Sequence, residues 1–101
     1  KWCYPGGHLK MSESSERGAE RECGEETGYK VHAIMPACIT RLKPGVAFVV
    51  CKLVSGTPKP NEEFSKLKWF PIADALRLPD IYEVNRKVLH KMIETGRISS
   101  P

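Results

Sequence analysis

The spacing of apolar residues changes along this chain, and each change predicts a different element. Residues 46–54 read Val-Ala-Phe-Val-Val-Cys-Lys-Leu-Val, nearly all apolar, as in a strand buried on both faces. Farther on, Ile81, Val84, Val88, Leu89, Met92 and Ile93 recur at helical intervals, the stripe of a helix packed on a core. Asp80 stands where a cap belongs and Gly96 where the helix must stop, which predicts a helix from residue 80 to about residue 95. Residues 67–70 predict a short strand carrying Trp69 and Phe70, and 72–77 a short helix. Residues 30–35 predict a strand that Pro36 interrupts, with 37–42 continuing as a second strand or a bent extension. Lys43-Pro44-Gly45 signals a turn, and 55–61, with Pro58 and Pro60, a loop.

The polar stretch ahead of these strands follows another rule. Ser12, Ser14 or Ser15 can cap a helix start and Gly28 can end it, which predicts about three helical turns over residues 16–27. At about 100° per residue, Glu22, Glu25 and Glu26 share one arc, beside a narrow apolar edge of Ala19 and Cys23. Carboxylates so placed repel by about 0.2–0.5 kcal/mol per i,i+3 or i,i+4 pair. Gly18 and Gly24 weaken the same helix by up to about 1 kcal/mol each. These choices work against stability and suit a hard divalent cation, because Mg²⁺ takes oxygen ligands from carboxylates and substrate phosphates. Gly18 lies in the same arc and leaves room for a phosphate or a loop. A solvated acidic face is the plain alternative, but it must also explain Gly7, Glu13, Arg21 and Gly28.

Those residues stand in a fixed pattern. Gly7, Glu13, Arg21, Glu22, Glu25, Glu26 and Gly28 occupy G-x5-E-x7-R-E-U-x-E-E-x-G-U, and Cys23 and Tyr29 fill the apolar slots U. Residues 7–29 therefore resemble the Nudix box. The resemblance implies an α/β/α sandwich around a mixed sheet, formed by a single domain over residues 1–101. It implies hydrolysis of a phosphoanhydride bond in a nucleoside diphosphate linked to another group, such as a nucleoside triphosphate, with Mg²⁺ as cofactor and Mn²⁺ as a substitute. It gives Glu22, Glu25 and Glu26 to the metal, with the Gly7 carbonyl as a further ligand. Arg21 pairs with the box glutamates, and Glu13 supports the loop or the metal shell. Glu22, Glu25 and Arg21 are the catalytic candidates. Pro5-Gly6-Gly7-His8-Leu9 resembles MutT-type pyrophosphohydrolases, and Trp69-Phe70-Pro71 after Glu63 resembles the late strand of the same domains. A nucleotide-binding module that does not cleave is the competing reading.

Composition adds limits. At 101 residues, 41% hydrophobic and 28% charged, the chain has the make-up of one ordinary globular domain. No apolar run approaches the roughly 18 residues of a membrane span, and the first residues lack the apolar segment of a signal peptide. Cys3, Cys23, Cys38 and Cys51 show no metal-site spacing, so buried free thiols in a reducing cytoplasm are expected. The net charge of +4 is divided, with −4 on residues 13–26 and +8 on the rest. An acidic patch in basic surroundings suits a metal site whose substrate is a polyanion. The basic residues are scattered and carry no nucleic-acid motif, so a small-molecule nucleotide is the expected partner rather than nucleic acid.

Two features depart from the resemblance. Five residues precede Gly6 where the family carries one or two strands, so N-terminal strands are expected to be missing. The strand at 46–54 or its neighbour then lacks a partner, and a second copy in a homodimer, a rearranged segment 1–5 or an N-terminal extension must cover the edge. Lys66 stands where relatives place an acidic residue. Glu62 and Glu63 are the nearest candidates for a general base or further ligand, with a solvated loop pair as the alternative. Trp2 and Tyr4 either stack on a base or pack at a strand edge. His8 is placed to contact phosphate, whereas His32 and His90 are expected to have no role.

Overall fold

The structure, a computed structural model, describes residues 1–36, 46–58 and 67–99. The predicted elements at 37–42 and 43–45, together with Cys38, Glu62, Glu63 and Lys66, lie outside the described residues. In chain order the elements are α1 (Ser15–Thr27), β1 (Tyr29–Pro36), β2 (Val49–Gly56), α2 (Ile72–Leu76) and α3 (Glu83–Glu94).

Local chemistry sets both ends of α1. Of the three serines able to cap it, Ser14 does so, its hydroxyl accepting the Arg17 N–H at 3.2 Å, a contact worth about 1 kcal/mol. Gly28 closes the helix with φ 81° and donates its N–H to the Gly24 carbonyl at 3.0 Å, the left-handed cap that glycine adopts without a Cβ penalty. Thr27 then hands the chain to the sheet. Its hydroxyl donates to the Cys23 carbonyl at 2.6 Å and accepts the Tyr29 N–H at 3.1 Å.

β1 and β2 pair antiparallel, from Tyr29 opposite Gly56 to Pro36 opposite Val49. Tyr29, Val31 and Ala33 are half-buried and alternate with exposed Lys30, His32 and Ile34, the period of a strand covered on one face. The register slips between Ala33 and Met35. There the Glu20 carboxylate of α1 accepts the Ala33 N–H at 2.8 Å and stands 3.4 Å from His32 Nδ1. A bulge frees a backbone donor, and here the helix supplies the acceptor.

The run at 46–54 is not buried on both faces. The strand starts at Val49, and its half-buried part is Val49, Val50 and Cys51. Beyond Cys51 the described residues leave Leu53 and Val54 46% and 54% exposed. Residues 67–70 form no strand either. Ring contacts hold them instead, Phe70 edge-on to Trp2 at 4.9 Å and Trp69 edge-on to Tyr29 at 5.5 Å.

Asp80 does not cap the last helix. Trp2 donates its N–H to the Asp80 carbonyl at 2.7 Å and accepts the Tyr82 N–H at 3.2 Å, forming a parallel bridge between Trp2 and Ile81. That bridge keeps Ile81 and Tyr82 extended, so α3 starts at Glu83 after Tyr82 with no side-chain cap. The apolar stripe packs as predicted, with Ile81, Val88 and Leu89 buried. Arg86 ties α2 to α3, donating to the Leu76 and Leu78 carbonyls and to Glu83.

Of the thiols, Cys23 and Cys51 are half-buried, whereas Cys3 is exposed, contrary to expectation. Trp2 and Tyr4 take the inward positions of the first segment and leave Cys3 between them facing out. Burial pushes the Cys51 thiol upward in pKa. No helix among the described residues is long and apolar enough to cross a membrane.

Candidate active site

Glu13 lies just before α1, and Arg21, Glu22, Glu25 and Glu26 lie on it. Arg21 joins most of them. Its Nε donates to Glu13 Oε2 at 2.7 Å and its Nη2 to Glu13 Oε1 at 2.9 Å. Its Nη1 donates to Glu22 Oε1 at 2.7 Å and to Glu25 Oε2 at 3.1 Å, and Nη2 also reaches the His8 carbonyl at 3.0 Å. Every guanidinium N–H has an acceptor, an arrangement that needs the planar fork of arginine.

The electrostatics follow from that hub. Hydrogen bonds from Arg21, then the Lys10 N–H at 2.9 Å, lower the Glu13 carboxyl to about 2. Glu13 and Glu22 in turn hold Arg21 protonated well above its ordinary range. The guanidinium also offsets the repulsion expected along the acidic arc.

Gly7 is the closest approach of the loop to the helix. A Cβ at this position would lie 2.5 Å from Glu22 Oε2 and 2.8 Å from Oε1, so a larger residue must displace either the loop or the Glu22 carboxylate. Glu26 is buried, with its Oε2 accepting the Gly6 N–H at 2.9 Å. The open space at Gly18 serves the loop, since a Cβ there would strike Leu9 Cδ2.

The structure thus gathers Glu13, Arg21, Glu22 and Glu25, sets Gly7 against Glu22 and turns Glu26 towards Gly6. It does not bring Trp2, Tyr4 or the His8 ring into that cluster. His8 takes part through its carbonyl. Trp2 packs on Phe70, while Tyr4 donates its hydroxyl to the Asn85 carbonyl at 3.1 Å, and burial raises its phenol to about 12. Sequence reasoning missed Glu20, whose role depends on a bulge that no pattern announces.

The residues present suit a hard divalent cation in kind. Glu22, Glu25 and Glu26 offer carboxylate oxygens, and the Gly7 backbone rests against one of them. Among the described residues no three His, Cys, Asp or Glu side chains are grouped as a metal site. Arg21 Nη1 draws one oxygen from each of Glu22 and Glu25.

The NUDIX domain family model matches residues 1–92. The chain belongs to the Nudix family. It is 30% identical over 107 aligned positions to an 8-oxo-(d)GTP phosphatase of Mycolicibacterium smegmatis, covering 96% of this chain and 33% of that protein. It is 29% identical over 87 positions to a MutT-like protein of Streptomyces ambofaciens, covering 82% of this chain and 56% of that one. Among solved structures, a UDP-X diphosphatase superposes with a TM-score of 0.71 at 22% identity, covering 97% of this chain and 53% of that chain. That likeness bears on fold alone and supports the α/β Nudix architecture. The chain spans between a third and just over half of these relatives' lengths.

Proposed function

We propose that this Nudix domain hydrolyses a phosphoanhydride bond in a nucleotide, a nucleoside diphosphate linked to another group, with Mg²⁺ or Mn²⁺. The observation that carries the reading is the Arg21 hub, which organises Glu13, Glu22 and Glu25 of a complete box. Similarity to the 8-oxo-(d)GTP phosphatase favours a nucleoside triphosphate. The free thiols of Cys3, Cys23 and Cys51 fit a cytoplasmic setting.

Glu22, Glu25, Glu26 and the Gly7 carbonyl are the residues that would hold the cation. When bound, a divalent cation polarises phosphate oxygens and lowers the pKa of water. Arg21 fixes the Glu22 and Glu25 carboxylates, and Glu13 fixes Arg21. Glu25 is the open member of the set, its side chain 55% exposed against 15% for Glu22. Its Oε1, the oxygen not bonded to Arg21, is the one placed to face the cation.

The test is turnover of a nucleotide panel with Mg²⁺ or Mn²⁺, scored for phosphate or pyrophosphate. Product from at least one member is expected. A folded chain that binds nucleotide with metal present and releases no product would instead be a binding module.

A further inference from the structure

α1 carries the acidic residues of the site, yet apolar packing does little to fix how that helix is turned. Its buried residues are Gly18, Glu26 and Thr27, none a large apolar side chain, and its apolar edge of Ala19 and Cys23 is only half-buried. Polar contacts hold it instead. On one face the Arg21 guanidinium binds the loop through Glu13 and the His8 carbonyl. Glu20 lies roughly 140–160° around the helix from Glu22 and Glu25, at about 100° per residue. There its Oε2 accepts the Ala33 N–H of β1 at 2.8 Å, a donor made available where the register of the strands slips. Arg17 and His32 also stand near the Glu20 carboxylate, at 3.6 and 3.4 Å, but both are exposed, and ion pairs of that kind contribute little. The Ala33 N–H is the contact that fixes the carboxylate.

Resting on the hydrolase reading above, we propose that Glu20 is a positioning residue: its bond to the β1 bulge sets the rotation of α1 and, through it, the placement of Glu22 and Glu25. Side chains end about 5–6 Å from a helix axis, so a turn of about 10° moves a carboxylate by about 1 Å. An error of that size can cost about 10²-fold in rate. The Arg21 hub does not prevent such a turn alone, because it joins the helix to an exposed loop, Gly6 to His8, that turns with it. The sheet is the fixed reference, since β1 is paired with β2 from Tyr29 to Pro36.

Two variants separate the contact from the charge. Glu20→Gln loses the charge and keeps an oxygen that can accept the Ala33 N–H. Glu20→Asp keeps the charge and is one methylene too short to reach. Both are compared with the parent chain in Mn²⁺ binding without nucleotide, by calorimetry, and in kcat and KM on the best nucleotide of the panel. Glu20→Asp is expected to lower Mn²⁺ affinity and kcat about tenfold each, with KM within about twofold. Glu20→Gln is expected to retain most of both, within about threefold of the parent. An unfolded fraction would lower the number of Mn²⁺ sites and not their affinity, so loss of fold is told apart from misplacement. Parent-like Mn²⁺ affinity and kcat in Glu20→Asp, or a Glu20→Gln variant as impaired as Glu20→Asp, overturns the proposal. If the parent chain turns over no nucleotide, the hydrolase reading fails and the Mn²⁺ affinities decide alone: the same contrast between the variants upholds the positioning role, and its absence overturns it.

Discussion

Adding one methyl at residue 7 tests whether loop and helix form a single site. In Gly7→Ala the new Cβ would lie 2.5 Å from Glu22 Oε2, 2.6 Å from its Cδ and 2.8 Å from Oε1. Comfortable separations are about 3.5–4.0 Å, so the overlap is roughly 1 Å. A loose carboxylate would swing aside at little cost. This one is tethered, because Arg21 Nη1 holds Glu22 Oε1 at 2.7 Å. Either the loop retreats by about 1 Å or Glu22 leaves Arg21, and a misplacement of that size costs about 10²-fold in rate. Crowding of this kind destabilises by about 1–3 kcal/mol, and the exposure of Gly6, Gly7 and His8 places the expected loss at the low end, a fall of about 4–8 °C in Tm. The neighbouring Gly6→Ala is the control, since a Cβ there meets nothing within 4 Å and the N–H to Glu26 is kept. The assay is kcat/KM on the best nucleotide of the panel, with thermal melts of both variants. Equal activity for Gly7→Ala and Gly6→Ala would refute the argument that the Gly7–Glu22 contact shapes the site.

The Glu13 carboxyl sits at about 2 in the folded chain against an ordinary 4.5, so its contribution is complete above the higher value and is lost as pH falls through the lower. Glu13→Gln should therefore flatten the fall in urea stability across that acid window, and an acid profile matching the parent would contradict the pairing. Val88 is 1% exposed, and Val88→Ala should cost about 2 kcal/mol, or about 8–16 °C in Tm. A melt shifted by only about 2 °C would mean that α3 does not anchor the core.

What the sequence shows and what it hides divide along the range of the interactions. Both ends of α1 were legible because Ser14 and Gly28 act on backbone within a few residues. The stripe on α3 was legible because burial of Val88 and Leu89 follows from periodicity alone. Residues 67–70 were not legible, because partners far away in sequence, Trp2 and Tyr29, decide their shape. The same is true of Asp80, whose capping role is displaced by the bridge to Trp2. At the site, box spacing marked Glu13, Arg21, Glu22 and Gly7 as a set and the resemblance paired Arg21 with the glutamates, while the structure adds the His8 carbonyl as a further acceptor of the guanidinium. Composition likewise does not foretell that Trp2 packs on Phe70 or that the Tyr4 hydroxyl meets the Asn85 carbonyl.

The central claim, that the box carboxylates serve a cation-assisted hydrolysis, is tested most directly by Glu26→Gln. Turnover at saturating Mg²⁺ is measured beside the thermal melt without metal. The amide oxygen of glutamine can still accept the Gly6 N–H that Glu26 Oε2 accepts at 2.9 Å, so the fold should keep its metal-free Tm. Loss of one charge from the set should lower the rate by about 10²-fold or more. Unchanged turnover, or a metal-free Tm that falls in step with activity, would contradict the account.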